Sequence, residues 1–380
     1  MRIGIDATSL DPETRYTGVG VYTLKLLQHL PELEPSNVYI AYGSAGTDRP
    51  PELPDAVDWR PLPSVPLGKL SAAFTQLFQM PGIVARDALD VLHCPTVQAR
   101  ISRSPIPRRV TCPMVVTLHD LIPVSFYGSG RYTYPWRLRT IFRWNLRALK
   151  HAQRVITVSE TSRRDILSRL NLSPTKVVTI YNGVDRPNRH ATPDPPDEGD
   201  YILFVGSTEA RKNLAGLLSA YSQARDAGLS YRLVAVVESD RDKLAGLEER
   251  SAELGLDGSV SFLHSVPDSD LGRLYEGASI FAFPSLAEGF GFPAVQALTY
   301  GLPVVASDIE VTRQVLGDAA LYTAPAESSA LADALVELAR DDQVRGRLRE
   351  AGLRRVTRYT WSECCKHTLD VYRQALSGNQ

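Results

Sequence analysis

The chain has 380 residues, 43% of them hydrophobic and 22% charged, with a formal net charge of −1. That length exceeds what a single core usually serves and implies two domains, and the ordinary globular composition excludes a disordered or fibrous chain. A near-neutral balance excludes nucleic acid as the main partner, which would call for a net basic face.

No apolar run approaches the ~18 residues of a membrane span. The opening MRIGIDATSL reads as a strand with an early Asp rather than a secretion signal, so a cytoplasmic protein is expected. Cys94, Cys112, Cys364 and Cys365 lack C-x-x-C spacing, which favours reduced thiols serving as small apolar residues.

The first half alternates strand and helix patterns. Residues 2–7 read as a strand, YTGVG at 16–20 as a glycine loop, and 21–30 as an amphipathic helix. Residues 37–42 form a second strand, and 50–66 a proline-rich, exposed stretch. A helix over 70–86 follows, then strands at 88–93, 114–118, 154–158 and 176–180, and a turn at Asn182-Gly183. Residues 186–200, rich in Pro and charge, read as a linker. A second series then runs through strands at 201–205, 231–237 and 260–263 and helices at 213–227, 241–254 and 269–277. Helices at 327–340, 342–357 and 361–375 close the chain. Strands separated by helices at this spacing imply parallel sheets with right-handed crossovers. The expected class is α/β, with two Rossmann-like, doubly wound domains facing across a cleft. The expected domains are 1–185 and 201–360, with the last helix (361–380) packing back on the first.

The most informative stretch is FAFPSLAEGFGFPAVQALTYGLPVVASD, residues 281–308. A strand breaks at Pro284, and a loop carries Glu288, Gly289 and Gly291. Pro293 suits a first helical turn, and the helix stops at Gly301. A glycine-rich loop feeding a helix N-terminus aims backbone N–H groups and a positive dipole end at an anion. Glu288 precedes those amides and Gln296 lies about one turn inside, so a carboxylate and an amide can flank one hydroxyl-rich anion. Upstream, Gly206-Ser207-Thr208-Glu209-Ala210-Arg211-Lys212-Asn213 follows a strand. Two cations at a helix start are unfavourable unless an anion offsets them, which points to a phosphate held by Arg211 and Lys212.

Other candidates carry less. His119-Asp120 ends a strand, where a lone histidine is more often structural than ligand-facing. The glycines of YTGVG lack the full G-x-G-x-x-G pattern. Asp268-Ser269-Asp270 precedes a helix and reads as an N-cap rather than a metal site, and no His/Cys cluster has metal-ligand spacing. Arg131, Arg137, Arg139, Arg143, Arg147 and Lys150 crowd 131–150 together with Tyr132, Tyr134, Trp136 and Trp144. Such a helix suits an anionic membrane surface or an anionic acceptor, and equally a solvated face.

TGVGVYTLKLL, DVLHCP, VVTLHDLIP, VITVSE, YNGVD, FVGSTEARKNL, PSLAEGFGFP, ALTYGLPVVASD and GDAALYTAP together resemble the family 4 glycosyltransferases of GT-B fold. The resemblance spans most of the chain. It implies a retaining hexosyltransferase using a nucleoside-diphosphate sugar, with no metal or other cofactor. GDP-mannose is the first expectation for the donor, ahead of UDP-glucose and UDP-N-acetylglucosamine. The acceptor would be a hydroxyl of a glycan, lipid-linked or small molecule, in polysaccharide assembly.

It further implies that Glu288 touches the donor sugar hydroxyls, and that Phe290, Gly291 and Phe292 offer amides to sugar and phosphates. Arg211 and Lys212, after Gly206 and Ser207, would hold the diphosphate. His119 would lie beside the transferred sugar, with Gly18 to Gly20 approaching the donor from the other domain. Two departures stand out. Gln296 occupies the second Glu position of the family motif, whose carboxylate would accept both ribose hydroxyls, and Arg313-Gln314-Val315 replaces the common Pro-Glu-Val. Those glutamines motivate an alternative, a catalytically weak subunit acting through a partner. A sugar-nucleotide epimerase of similar fold is a third reading.

Overall fold

A computed structural model of the chain describes residues 1–66, 71–97, 105–107, 110–126, 136–186, 200–238, 241–264 and 266–378, without the side chains of 137, 241–243, 268 and 269. Two compact units emerge: Met1–Gly183 with Tyr359–Gln380, and Val184–Arg358. Most of the stretch read as a linker lies outside the described residues, as do residues 131–135 of the basic segment.

In the first unit, seven parallel strands lie in the order β3-β2-β1-β4-β5-β6-β7. They are β1 (Arg2–Asp6), β2 (Val38–Gly43), β3 (Val57–Pro61), β4 (Val91–Cys94), β5 (Met114–Thr117), β6 (Arg154–Thr157) and β7 (Val177–Thr179). The central strands are buried along almost their whole length, as parallel strands covered on both faces must be. The main helices are α1 (Gly18–Leu33), α2 (Met80–Arg86), α3 (Trp136–Ala148) and α4 (Glu160–Arg169). Ile40, Leu92, Met114, Val116, Phe142 and Leu149 lie in one core cluster. The four cysteines are free and buried.

Three details differ from the sequence reading. The stretch 50–66 is not simply exposed loop, since it contains β3, whose Tyr39↔Val57 register makes it the edge of the sheet. Pro61 is tolerated at such an edge. The helix expected over 70–86 has a π-helical stretch, Thr75–Gln79, before α2. Gly18 and Gly20 do not form a loop but sit in the first turn of α1, capped by the Thr17 side chain, which accepts from the Gly20 N–H. A Cβ at Gly20 would meet the Thr14 and Arg15 carbonyls at 2.4 Å, so close backbone approach demands glycine there.

The C-terminal helix α12 (Trp361–Ser377) belongs to this first unit and packs on α1. A buried polar chain fastens it to the sheet. His93 Nδ1 bonds Tyr372 Oη at 2.7 Å, His93 Nε2 bonds Thr117 Oγ1 at 2.8 Å, and Thr117 meets Tyr22 Oη at 3.1 Å. A Cβ at Gly183 would lie 2.3 Å from the Trp361 nitrogen, so the chain crosses its own C-terminal helix where only glycine fits.

The second unit has six parallel strands in the order β10-β9-β8-β11-β12-β13. These are β8 (Tyr201–Ser207), β9 (Arg232–Glu238), β10 (Val260–His264), β11 (Ile280–Phe283), β12 (Val304–Ser307) and β13 (Ala320–Thr323). Between and after them run α5 (Leu214–Asp226), α6 (Arg241–Glu253), α7 (Asp268–Gly277), α8 (Phe292–Thr299), α9 (Glu310–Leu316), α10 (Ser328–Arg340) and α11 (Asp342–Val356). The N-cap of α7 is Pro267 rather than one of the aspartates, and Asp270 falls in the first turn, where its charge complements the dipole. No helix among the described residues is long and apolar enough to cross a membrane.

Burial holds the His93 pKa down at about 3, helped by nearby His119, and holds His119 down at about 4. Both are neutral when folded and titrate near 6.5 when unfolded. Their contribution to stability is therefore complete above that value and is lost as pH falls toward 4. Urea denaturation of the parent should lose stability between about pH 6.5 and pH 4.5 more steeply than His93→Gln, by about 1.4 kcal/mol per pH unit. Equal slopes would mean that His93 is not buried as the neutral ring.

Candidate active site

In the second unit the crossovers leave β8 and β11, adjacent strands, in opposite directions. Open parallel sheets bind ligands at such a switch point, beyond the strand C-termini. The segments that follow these two strands are 208–213 and 284–291, the two stretches singled out in the sequence. They are tied through the backbone, with the Leu286 N–H donating to the Arg211 carbonyl at 2.7 Å.

Arg211 and Lys212 do not open a helix as expected. They lie in a 3-10 turn, Ala210–Lys212, and α5 begins only after Asn213, which adopts the left-handed conformation at φ 56°. The dipole argument therefore does not apply to them, and their position rests on side-chain pairing. Glu288 Oε1 accepts from Lys212 Nζ at 2.5 Å, and Glu288 Oε2 accepts from Arg211 Nη1 at 3.0 Å. Arg211 Nε donates to Glu209 at 2.7 Å, and its Nη1 also reaches the Ala287 carbonyl at 3.4 Å.

Lys212 and Glu288 are both buried, their side chains 10% and 7% exposed. For Glu288, burial pushes the pKa up, but the charges of Lys212 and Arg211 outweigh it and hold the carboxyl below its ordinary range. For Lys212, burial and the Arg211 charge pull the ammonium pKa down while Glu288 opposes them. Two cations and two carboxylates thus balance in a confined space, a receptor whose N–H donors are already aligned. The Lys212 ammonium also lies 5.7 Å from the centre of the Phe283 ring. Gly206 makes room for this arrangement, since a Cβ there would press on the Phe204 ring at 3.0 Å and lie 3.7 Å from the Lys212 stem. Ser207 accepts from the Glu209 N–H at 3.5 Å.

On the other side, Gly291 takes φ 93° as the N-cap of α8, with Pro293 in the first turn. A Cβ on Gly291 would meet the Phe283 ring at 3.2 Å. Phe290 and Phe292 flank it, their rings 5.5 Å apart at 74°. Gln296 spends its amide within the protein, Nε2 donating to the Asp185 carbonyl at 2.9 Å and to Thr299 Oγ1 at 3.1 Å. A carboxylate could not donate to the Asp185 carbonyl. Gln296 therefore ties α8 to the first residues of its unit.

Gly18, Gly20 and His119 belong to the first unit. The residue after β5, Leu118, leads directly into His119, which is buried. Its Nε2 lies 2.9 Å from the Pro95 carbonyl. A carbonyl only accepts, so the proton sits on Nε2 and Nδ1 carries the lone pair. The Tyr22 ring packs edge-on against it at 5.0 Å, joining the glycine-started helix to the histidine. Reasoning from sequence gave no role to Glu209, to the Ala287 and Asp185 carbonyls, or to the Phe283 ring. Glu209 stood within a stretch already singled out, and its charge beside two cations was the available signal.

Comparison with known proteins agrees with this architecture. The family models "Glycosyltransferase Family 4" and "Glycosyl transferases group 1" match residues 16–186 and 185–355. The O-antigen chain mannosyltransferase B of Escherichia coli is 28% identical over 387 residues, 94% of this chain and 96% of the relative. A phosphatidyl-myo-inositol mannosyltransferase of Mycobacterium leprae is 33% identical over 281 residues, 70% of this chain and 69% of the relative. Among solved structures, the sucrose-phosphate synthase of Thermosynechococcus elongatus superposes over 100% of both chains with a TM-score of 0.80, at 19% identity. The chain belongs to the family 4 glycosyltransferases of GT-B fold.

Proposed function

We propose that this enzyme transfers mannose from GDP-mannose to a hydroxyl of a glycan or lipid-linked acceptor, with retention at the anomeric carbon and without a catalytic metal. The observation that carries the reading is the hydrogen-bonded grouping of Arg211, Lys212 and Glu288 at the switch point of the second sheet. Mannose is favoured because two relatives along much of the chain are named mannosyltransferases.

A diphosphate entering this site competes with Glu209 and Glu288 for the same N–H donors. As it takes them, Glu288 turns its oxygens to the sugar hydroxyls. When the bond between the anomeric carbon and the phosphate oxygen breaks, negative charge grows on the leaving diphosphate. Arg211 and Lys212 stabilise that charge in a site where water screens it little. The acceptor hydroxyl attacks the same face, its oxygen forms the new glycosidic bond, and its proton passes to the departing phosphate oxygen. GDP leaves. His119 offers a lone pair on Nδ1 to a sugar hydroxyl, and as a neutral ring it adds no charge that would oppose the cationic transition state. Gln296, with its N–H groups committed, has only Oε1 to offer to the ribose.

With GDP-mannose as donor and a chelator present, the parent should transfer sugar, and Arg211→Ala with Lys212→Ala should lower the rate by at least about a hundredfold. Activity within about threefold of the parent, under ~1 kcal/mol of barrier, contradicts the assigned role. Failure of the parent under chelation contradicts the metal-free reading. Gln296→Glu should lower the stability of the second unit by about 1–3 kcal/mol, because a carboxylate would face the Asp185 carbonyl where an amide donated. Thermal melting checks this, and an unchanged or higher midpoint contradicts it.

A further inference from the structure

Phe283 is the last residue of β11, and its ring touches both halves of the site in the second unit. Ile280 and Ala282 face the core shared with α5 and α10, so strand alternation turns Phe281 and Phe283 to the other side of the sheet. There the rings form a column. Phe283 stacks on Phe281 at 6.3 Å, Phe281 on Tyr275 at 5.6 Å, and Tyr275 on Tyr300 at 5.3 Å. The column meets α8 at both of its ends. Tyr300 is the C-cap, and the Tyr275 hydroxyl donates to the Pro293 carbonyl, in the first turn, at 3.3 Å.

The edge of the Phe283 ring lies against Gly291, the N-cap of α8, so closely that a Cβ there would stand 3.2 Å from it. The centre of the same ring is 5.7 Å from the Lys212 ammonium. Both side chains are buried. Glu288 takes one of the three N–H groups of Lys212, and a diphosphate entering the site competes for them. A carboxylate held in that way can exchange partners. A ring does not: it attracts the ammonium through its face and claims no N–H group, so the contact persists when the anion arrives. Leucine would fill the space without offering that face. Burial among rings accounts for Phe281, whereas Phe283 has a buried ammonium set against it as well.

We propose that Phe283 is a positioning residue for the transfer: its ring sets the spacing between the Lys212 ammonium and the first amides of α8, so that both bear on one diphosphate. The inference rests on the donor site proposed above and adds the residue that keeps its two sources of positive charge in register. Misplacement by about 1 Å can cost about a hundredfold in rate, so a residue that touches no substrate can still govern it.

The test is Phe283→Leu in the full chain, read in two ways. In the nucleotide-free protein, NMR of lysines labelled with heavy carbon at Cε follows the Lys212 titration, and Lys212→Met assigns the signal. The charged groups facing Lys212 are Glu288 from the neighbouring loop and Arg211 and Glu209 from its own segment, and the substitution leaves all three in place. Without the ring the ammonium should lose its proton about half a pH unit lower. With GDP-mannose, kcat should fall by about ten- to a hundredfold while the donor KM moves less than about threefold, because the charge that Lys212 stabilises grows only as the bond breaks. Phe283→Met also fills the space without a ring face and should reproduce both effects, which separates them from a folding defect of one variant. An unmoved lysine midpoint overturns the inference, whatever the melting temperature. So does an unmoved kcat in a protein that transfers the sugar. A lowered midpoint in a protein whose parent does not use GDP-mannose supports the ring contact and contradicts the donor.

Discussion

A buried carboxylate set against a buried lysine and a partly exposed arginine can persist only if all three groups are held in register, and the second unit is built around that requirement. Glu288 accepts from Lys212 and Arg211 at 2.5 and 3.0 Å, in a space where water screens little. Taking one partner away would leave a charge uncompensated at about 3–5 kcal/mol. Everything nearby serves to fix these positions. The β8–β11 pairing sets the two loops side by side, the Leu286 N–H ties them, and Gly206 and Gly291 remove the side chains that would push them apart. An arrangement that is neutral when empty can receive a diphosphate by exchange of partners, without a lone cationic pocket having to be kept stable.

The first unit solves a different problem with similar means. Its central strands β4 and β5 are covered by a helix from the far end of the chain, fastened through Tyr372, His93, Thr117 and Tyr22. Tyr22 also packs on His119, so the seating of α12 and the posture of the candidate site histidine are mechanically connected. Burial keeps His119 neutral against the opposing pull of the Pro95 carbonyl, which fixes the remaining proton on Nε2.

Much of this could be read from the sequence because strands of parallel sheets are short apolar runs bounded by glycine and proline. Ile280–Phe283 and Val304–Ser307 are examples, and α8 with its Pro293 and Gly301 was placed almost to the residue. What stayed hidden depended on neighbours distant in the chain. Strand β3 was obscured by the prolines and charges that an edge position tolerates. Gly18 and Gly20 look like a loop until Thr17 is seen as a cap. Glu288 was recognisable as a site carboxylate, but its hold on cations 76 residues upstream follows from strand order, which spacing does not reveal. Gln296 stood out as a departure from the family pattern. Its partner, the Asp185 carbonyl 111 residues away, appeared only in the fold.

The account stands or falls on whether Glu288 and Lys212 act as one unit in holding a diphosphate. Titration calorimetry of GDP binding to the parent, Lys212→Met, Glu288→Gln and the double variant measures that coupling directly. The expected result is a cycle that fails to close additively by more than about 1 kcal/mol, since each substitution changes what the other costs. Additivity within about 0.5 kcal/mol would show the two groups to be independent and would contradict the central claim.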